Sequence, residues 1–249
     1  MRDDQTTKKI KDVFNFLKRH HDYNRLIQHG YVKQTLSACS SPRERMRLML
    51  ERAVNSQSKP SLDNVAAFWK DVHESKENLD SYRGFYDFIK RESHTDLMSA
   101  LSRQAGWGNK TASLFVRNLW IAYCEKALKP LIWSDLDLTH ERLYLPVDAV
   151  IKNIFSQIDT SKKWDFVSIN HKLNPNGEKP QYSNEQMLIW DDLWFWGFIT
   201  QRSEPGSKLR EFEWNEAKYW SIFTAPRDKI SIKKIKALAE GFVNLIKSA

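Results

Sequence analysis

The sequence predicts an all-α protein, and three observations predict it. Glycine and proline are scarce, at eight each, so helices are rarely interrupted. Apolar residues recur at spacings of three and four along most of the chain, the period of an amphipathic helix. Every-other-residue alternation, the mark of a half-buried strand, is not convincing in any segment, and no segment repeats another. A chain of 249 residues suits one large domain or two closely packed ones.

Each element follows from local pattern. Residues 8–29 read as a helix with Val13, Phe14, Phe16 and Leu17 inward. Ser41-Pro42 starts the next, proline being suited to a first turn. Met46, Leu50, Ala53 and Val54 form its inner stripe, and it ends within Ser56-Gln57-Ser58-Lys59-Pro60 because proline disfavours helix at the preceding residue. Further helices are expected over 62–72 and 82–90. Leu97 and Leu101 mark a short helix stopped by Ala105-Gly106-Trp107-Gly108, and a longer one carries Ala112, Phe115, Leu119 and Ala122. Residues 129–146 look irregular between Pro130 and Pro146. Asp148 opens a helix with Ile151, Ile154, Phe155 and Ile158 inward. Residues 170–184 read as a polar loop of turn formers, followed by a tryptophan-rich helix over 185–199. The last helix begins after Pro226, with Ile232, Ile235, Leu238, Phe242 and Leu245 inward and Lys229, Lys233, Lys234 and Lys236 opposite.

Composition narrows the function. The net charge is +8, and a basic surface attracts polyanions, nucleic acid foremost. Ten tryptophans are unusual; most are expected in the core, and a few are free to face a flat ligand such as a base. Two cysteines, Cys39 and Cys124, make neither a disulfide framework nor a four-thiolate cluster. The histidines show no helical ligand pair, since His20 and His21 face different sides, so no metal or other cofactor is expected. No apolar run reaches the roughly 18 residues of a membrane helix. The charged N-terminus lacks a secretory signal. The expectation is an intracellular monomer, cytoplasmic with the nucleoid or nuclear, without a membrane partner.

The most informative segment is 101–119, LSRQAGWGNKTASLFVRNL. It reads as helix, Gly-x-Gly turn, helix. The glycines permit a tight turn, and the turn offers backbone N–H groups at a helix start, where an anion such as a DNA phosphate is bound without reading base sequence. Lys110 lies two residues past Gly108. The positive end of a helix disfavours a cation and favours the neutral amine that attacks carbon. On spacing alone, Lys110 is equally an exposed lysine or a phosphate contact.

G106-W-G-N-K-T-A112 resembles the hairpin of the helix-hairpin-helix DNA glycosylases, in which this lysine is the nucleophile of the bifunctional members. L145-P-V-D-A149 resembles their second signature and makes Asp148 the counterpart of the catalytic aspartate. M49-L-E-R-A-V-N-S-Q-S58 resembles the helix end that fills the gap left by a flipped base, with Gln57, or alternatively Asn55, at the matching position. The motifs stand in the family order over roughly 46–158. The tryptophan-rich helix extends the likeness to about 200. The resemblance implies two helical subdomains, about 42–128 with the hairpin at 97–119, and 1–41 with 129–249, around a cleft. It implies that Gly106, Trp107, Gly108 and Asn109 meet DNA together with Gln57.

Two departures narrow the branch. The interval from Lys110 to Asp148 is long, residues 123–144 being extra, and the cysteines for an iron–sulfur cluster are missing. The chain is in these respects similar to the archaeal 8-oxoguanine glycosylases. That branch implies a base pocket of Trp69, an acidic residue (Asp191 or Asp192) and a tryptophan (Trp194 or Trp196) on the late helix, and Gln28. Asp192, Trp196, Trp69 and Gln28 are the set carried forward. The implied activity is excision of an oxidised base from double-stranded DNA by attack of Lys110 on C1′, with Schiff-base β-elimination. Asp148 is also where an N-cap aspartate sits. The alternatives are a non-catalytic DNA-binding module and a monofunctional glycosylase for another modified base.

Overall fold

Helix follows helix through the computed structural model, which describes residues 2–74, 76–90, 96–175, 180–203, 210–222 and 225–247. In chain order the first seven helices are α1 (Arg2–Arg19), α2 (His21–Ser37), α3 (Pro42–Asn55), α4 (Leu62–Glu74), α5 (Tyr82–Ile89), α6 (Leu97–Ser102) and α7 (Asn109–Cys124). The rest are α8 (Ala149–Ile158), α9 (Phe166–Leu173), α10 (Asn184–Trp190), α11 (Asp192–Ile199), α12 (Glu216–Trp220) and α13 (Lys229–Lys247). Short 3₁₀ turns occupy Lys76–Leu79 and Lys129–Leu131. Among the described residues the protein is all-α apart from one small antiparallel hairpin, β1 (Gln201–Ser203) with β2 (Arg210–Phe212), in the register Gln201↔Phe212.

The chain divides into two compact units, here called terminal (Met1–Ile27 with Val147–Ala249) and central (Gln28–Pro146). The central unit is wider than the 42–128 expected from sequence. Arg45 shows why: its Nε donates to the carbonyls of Leu36 and Cys39, both at 3.0 Å, and its Nη1 to that of Leu131 at 3.4 Å. Arg52 likewise donates to Thr35 Oγ1 at 2.7 Å. Residues 123–144 belong to this unit through similar contacts. Trp133 Nε1 donates to the Leu79 carbonyl, the Asp135 carboxylate accepts from the amides of Tyr82 and Arg83 at the start of α5, and the Glu141 carboxylate accepts from Leu97 N at the start of α6.

Helix starts follow the capping residues. Ser41 and Glu44 form a reciprocal capping box before α3, with Pro42 in the first turn. Asp148 Oδ1 accepts from Ile151 N at 3.0 Å and caps α8. Such caps contribute about 1 kcal/mol each, whereas each fully buried Leu, Ile or Phe contributes roughly 1.5–3 kcal/mol. The apolar stripes therefore decide where the helices pack. The predicted stripes of α3, α7 and α8 are all buried, as are Val13, Phe14, Phe16 and Leu17 of α1.

Four details differ from the sequence reading. The helix expected over 8–29 breaks at His20, whose N–H bonds the Leu17 carbonyl at 3.0 Å, so α2 starts afresh and runs on to Ser37. The tryptophan-rich helix breaks at Asp191, which ends α10 and begins α11. The loop expected from residue 170 starts only after Leu173, because Asp165 and Ser168 form a capping box that builds α9; residues 176–179 lie outside the described residues. On α13 the buried face is Ile235, Ala239, Phe242, Val243 and Ile246, with Ile232, Leu238 and Leu245 half-buried at its margins. This face, with fully buried Ala239 on it, is the one on which α13 packs within the terminal unit against α1, α8 and α11.

In the terminal unit, α11 packs on α8 at Gly197. A Cβ there would stand 2.5 Å from Val150 Cγ1 and 2.7 Å from Ile154 Cδ1. Gln201, fully buried, donates from Nε2 to the Val150 carbonyl at 3.0 Å and accepts from Asn153 at 3.3 Å.

Candidate functional site

The site builds up from the turn between α6 and α7 in the central unit. α6 ends at Ser102, and the chain folds back through Gln104–Trp107 with Trp107 N bonded to the Gln104 carbonyl at 3.1 Å. Gly106 has φ +76°, the left-handed region that glycine enters without penalty. A side chain is excluded there on a second count: a Cβ would lie 2.8–2.9 Å from Val65 N and Cα on α4. Trp107 then turns inward, 8% exposed, with its ring edge-on to Phe68 and Phe115. Expected from the motif to face DNA, it is the apolar anchor of the turn, because its indole finds a slot between α4 and α7.

Gly108 is the N-cap of α7 in extended backbone, and no side chain caps the helix. A Cβ on Gly108 would meet nothing within 4 Å. The first-turn N–H groups of a helix have no acceptor inside it, and here the capping position supplies none. Asn109 is exposed, and its carbonyl accepts from Ser113 Oγ at 2.8 Å.

Two hydrogen bonds tie this turn to the end of α3. Gln57 Nε2 donates to the Gly106 carbonyl at 2.9 Å, and Lys110 Nζ donates to the Ser56 carbonyl at 3.1 Å. Ser56 is the C-cap of α3, so the amine meets the negative end of one helix while its own backbone starts another. The side chains of Lys110 and Gln57 are both half-buried, and the alternative to Gln57, Asn55, is exposed. Trp69, on α4, is half-buried beside Phe68 and His73. Gln28 is buried at the start of this unit.

The other candidates belong to the terminal unit. Asp148 is half-buried and fixed by its N-cap bond. Asp192 is fully buried, its Oδ2 2.9 Å from His21 Nδ1 and its Oδ1 accepting from Asn24 Nδ2 at 2.9 Å. Burial pushes its carboxyl up to about 7, against the pull of the His21 and Asn24 hydrogen bonds. His21 and Asn24 were not picked out from the sequence. Their spacing of three on one helix face was the available signal. Asp191, the alternative acid, is also buried.

Trp196 is fully buried, edge-on to Phe16, Tyr23 and Phe195 at 5.2, 5.9 and 5.0 Å. An indole enclosed in this way serves the core, because α11 directs it at α1 and α2 rather than outward. Trp194 is half-buried and stacked on Phe198 at 5.1 Å.

Among the described residues, no group of three His, Cys, Asp or Glu side chains is placed to hold a metal ion, and no helix is long and apolar enough to cross a membrane. Comparison with family models, with curated proteins and with solved structures returns no match.

Proposed function

We propose that the protein is a DNA glycosylase and lyase of the helix-hairpin-helix kind, acting on double-stranded DNA that carries an oxidised base, with 8-oxoguanine the favoured lesion. One observation carries the reading. Lys110 stands in the first turn of a helix that is entered through a glycine turn and capped by a bare glycine, with its amine beside the α3 end that bears Gln57.

In this reading the open amides of α7 take a DNA phosphate, and the target nucleotide leaves the stack at a cost of about a few kcal/mol. Gln57 exchanges the Gly106 carbonyl for the vacated space in the duplex. Trp69 stacks on the extruded base, worth roughly 1–3 kcal/mol.

Lys110 leaves the Ser56 carbonyl, gives up a proton and attacks C1′ with its lone pair. The glycosidic bond breaks, and the base departs with the bonding electrons and a proton. Opening of the sugar ring gives an iminium ion. Loss of a C2′ proton then expels the 3′-phosphate. The lysine proton passes to solvent, and Asp148, by its resemblance to the family's carboxylate, is the residue assigned to oppose positive charge growing on the sugar.

Borohydride reduction in the presence of an 8-oxoguanine duplex is the test. A covalent protein–DNA adduct that disappears in Lys110→Gln supports the reading. Neither adduct nor base release on a panel of oxidised bases sinks it.

A second reading is favoured by the Lys110–Ser56 bond itself, which leaves the amine already engaged. In that reading the protein is a non-catalytic DNA-binding module in which Lys110 braces the turn. Lys110→Gln then weakens binding to intact and lesion-bearing duplexes alike.

A further inference from the structure

Two hydrogen bonds cross between the end of α3 and the α6–α7 turn, and they meet at one peptide unit. Lys110 Nζ donates to the Ser56 carbonyl at 3.1 Å, and that carbonyl belongs to the peptide bond leading into Gln57. Gln57 Nε2 in turn donates to the Gly106 carbonyl at 2.9 Å, in the turn that leads to Lys110. Each segment thus holds the other's side chain by a backbone carbonyl, and the contacts close into a ring. The N–H of the same peptide unit donates to the Val54 carbonyl at 3.1 Å. Hydrogen bonds linked in this way depend on one another's geometry, so losing one weakens the next.

The two sides of the ring are unequally fixed. On the turn side, Gly106 lies against the Val65 backbone, and Trp107 is 8% exposed, edge-on to Phe68 and Phe115. On the α3 side, Ser56 is exposed, and so are Ser58, Lys59, Pro60 and Ser61 beyond Gln57. Moving the turn would unpack buried rings, whereas moving Gln57 uncovers no core. Gln57 is therefore the half of the ring that yields first.

We propose that Ser56 and Gln57 form a latch that withholds the Lys110 amine until Gln57 leaves for a gap in DNA. The latch rests on the repair reading, whose site it regulates. When the Gln57 side chain departs, the Ser56–Gln57 peptide loses its hold on the turn and rotates, and its carbonyl swings off the amine. Gap filling and release of the nucleophile are then one event. Intact duplex offers no gap, so there the amine stays engaged. Gln57 acts here as a positioning residue, through Lys110.

The test reads the amine of the full chain with and without DNA. The DNA-free probe is 2-deoxyribose with cyanoborohydride. The amine adds to the C1 aldehyde of the open-chain sugar, water leaves, and hydride from cyanoborohydride reduces the Schiff base to a stable secondary amine. Peptide mass spectrometry follows the rate at Lys110, with exposed Lys233 on α13 as the internal reference. Gln57→Met keeps the side-chain length but has no amide donor, and its Lys110 should be modified about threefold or more faster than in wild type. The second probe is a duplex with an abasic site, trapped in the same way at saturating protein. In wild type the DNA itself opens the latch, so Gln57→Met should gain nothing there. Ser58→Ala, beside the latch, should alter neither rate, and every variant should keep the wild-type circular dichroism spectrum. Equal Lys110 rates with the free sugar in wild type and Gln57→Met overturn the latch, as does a rise of the same size in Ser58→Ala. A gain in Gln57→Met on the duplex equal to that on the sugar also overturns it, since DNA would then not be the trigger. Absence of any wild-type adduct with the abasic duplex strikes the repair reading instead, and the probe that fails tells the two failures apart.

Discussion

The amine of Lys110 donates to the carbonyl of Ser56, 54 residues earlier in the chain. That single bond joins the start of α7 to the end of α3. It also fixes what Lys110→Gln tests. Glutamine keeps a donor but has no nucleophilic amine. The expected outcome is loss of borohydride-trapped adduct and of nicking, with lesion-duplex affinity within about threefold of wild type, or roughly 0.6 kcal/mol. Gel-shift titration beside the trapping assay makes the comparison.

The two turn glycines separate folding from binding. Gly106→Ala forces a left-handed alanine against the Val65 backbone, and should cost roughly 2–4 kcal/mol in denaturant unfolding. Gly108→Ala meets open space and should cost less than about 1 kcal/mol, yet it places a methyl where a phosphate would approach. The expected result is near-native stability with weaker DNA binding. Native affinity in Gly108→Ala would count against the phosphate role of the turn.

Asp192 gives an unusual pH dependence. Its carboxyl rises from 3.8 to about 7 in the folded chain, chiefly through burial. Between those values the folded state holds more protons than the unfolded state, so this group's stabilisation is full below about 4 and is lost as pH rises through 7. Glu141, raised to about 7 by burial, acts in the same direction. His20, lowered by burial and by Arg19 and Lys234, acts oppositely near neutrality. Asp192→Asn should therefore remove part of the fall in Tm between pH 4.5 and 7.5 rather than all of it. Thermal melts of both proteins across that range would show it, and superimposable profiles would argue against burial of a titrating Asp192.

Asn174 is the hinge pin of the segment before α10. Replacing it with alanine strands the Tyr182 N–H and carbonyl together, at a cost of roughly 2–3 kcal/mol. Chemical denaturation should register the loss, and hydrogen exchange should show faster exchange at Tyr182 than in wild type.

The sequence announces those parts of the molecule that local chemistry controls. Ser41 with Glu44, Asp148 ahead of Ile151, and the apolar stripes of α3, α7 and α8 are legible because cap and stripe lie within one or two helical turns. The breaks at His20 and Asp191 are not, since neither has a proline or glycine to mark it. The strands β1 and β2 span three residues each, too few for alternation to be seen. Residues 123–144 look irregular because their order comes from partners far along the chain, Leu79, Tyr82 and Leu97. Of the candidate site, Lys110, Gln57 and Gly106 could be picked from one motif and one helix end, and the fold brings them together. Whether Trp107, Trp194 or Trp196 faces outward could not be read, because tryptophan suits a core and a base equally well.

Gly197 carries a consequence for the carboxylate at the head of α8. The bare backbone there admits Val150 and Ile154 to distances that any side chain would deny. Asp148 caps that same helix, so its position depends on a contact made at Val150 and Ile154, two and six residues further on. A methyl added at residue 197 would push on α8 and shift its capping acid without touching that acid directly. If Asp148 has the role proposed for it, that role constrains residue 197, which carries no side chain to take part in it.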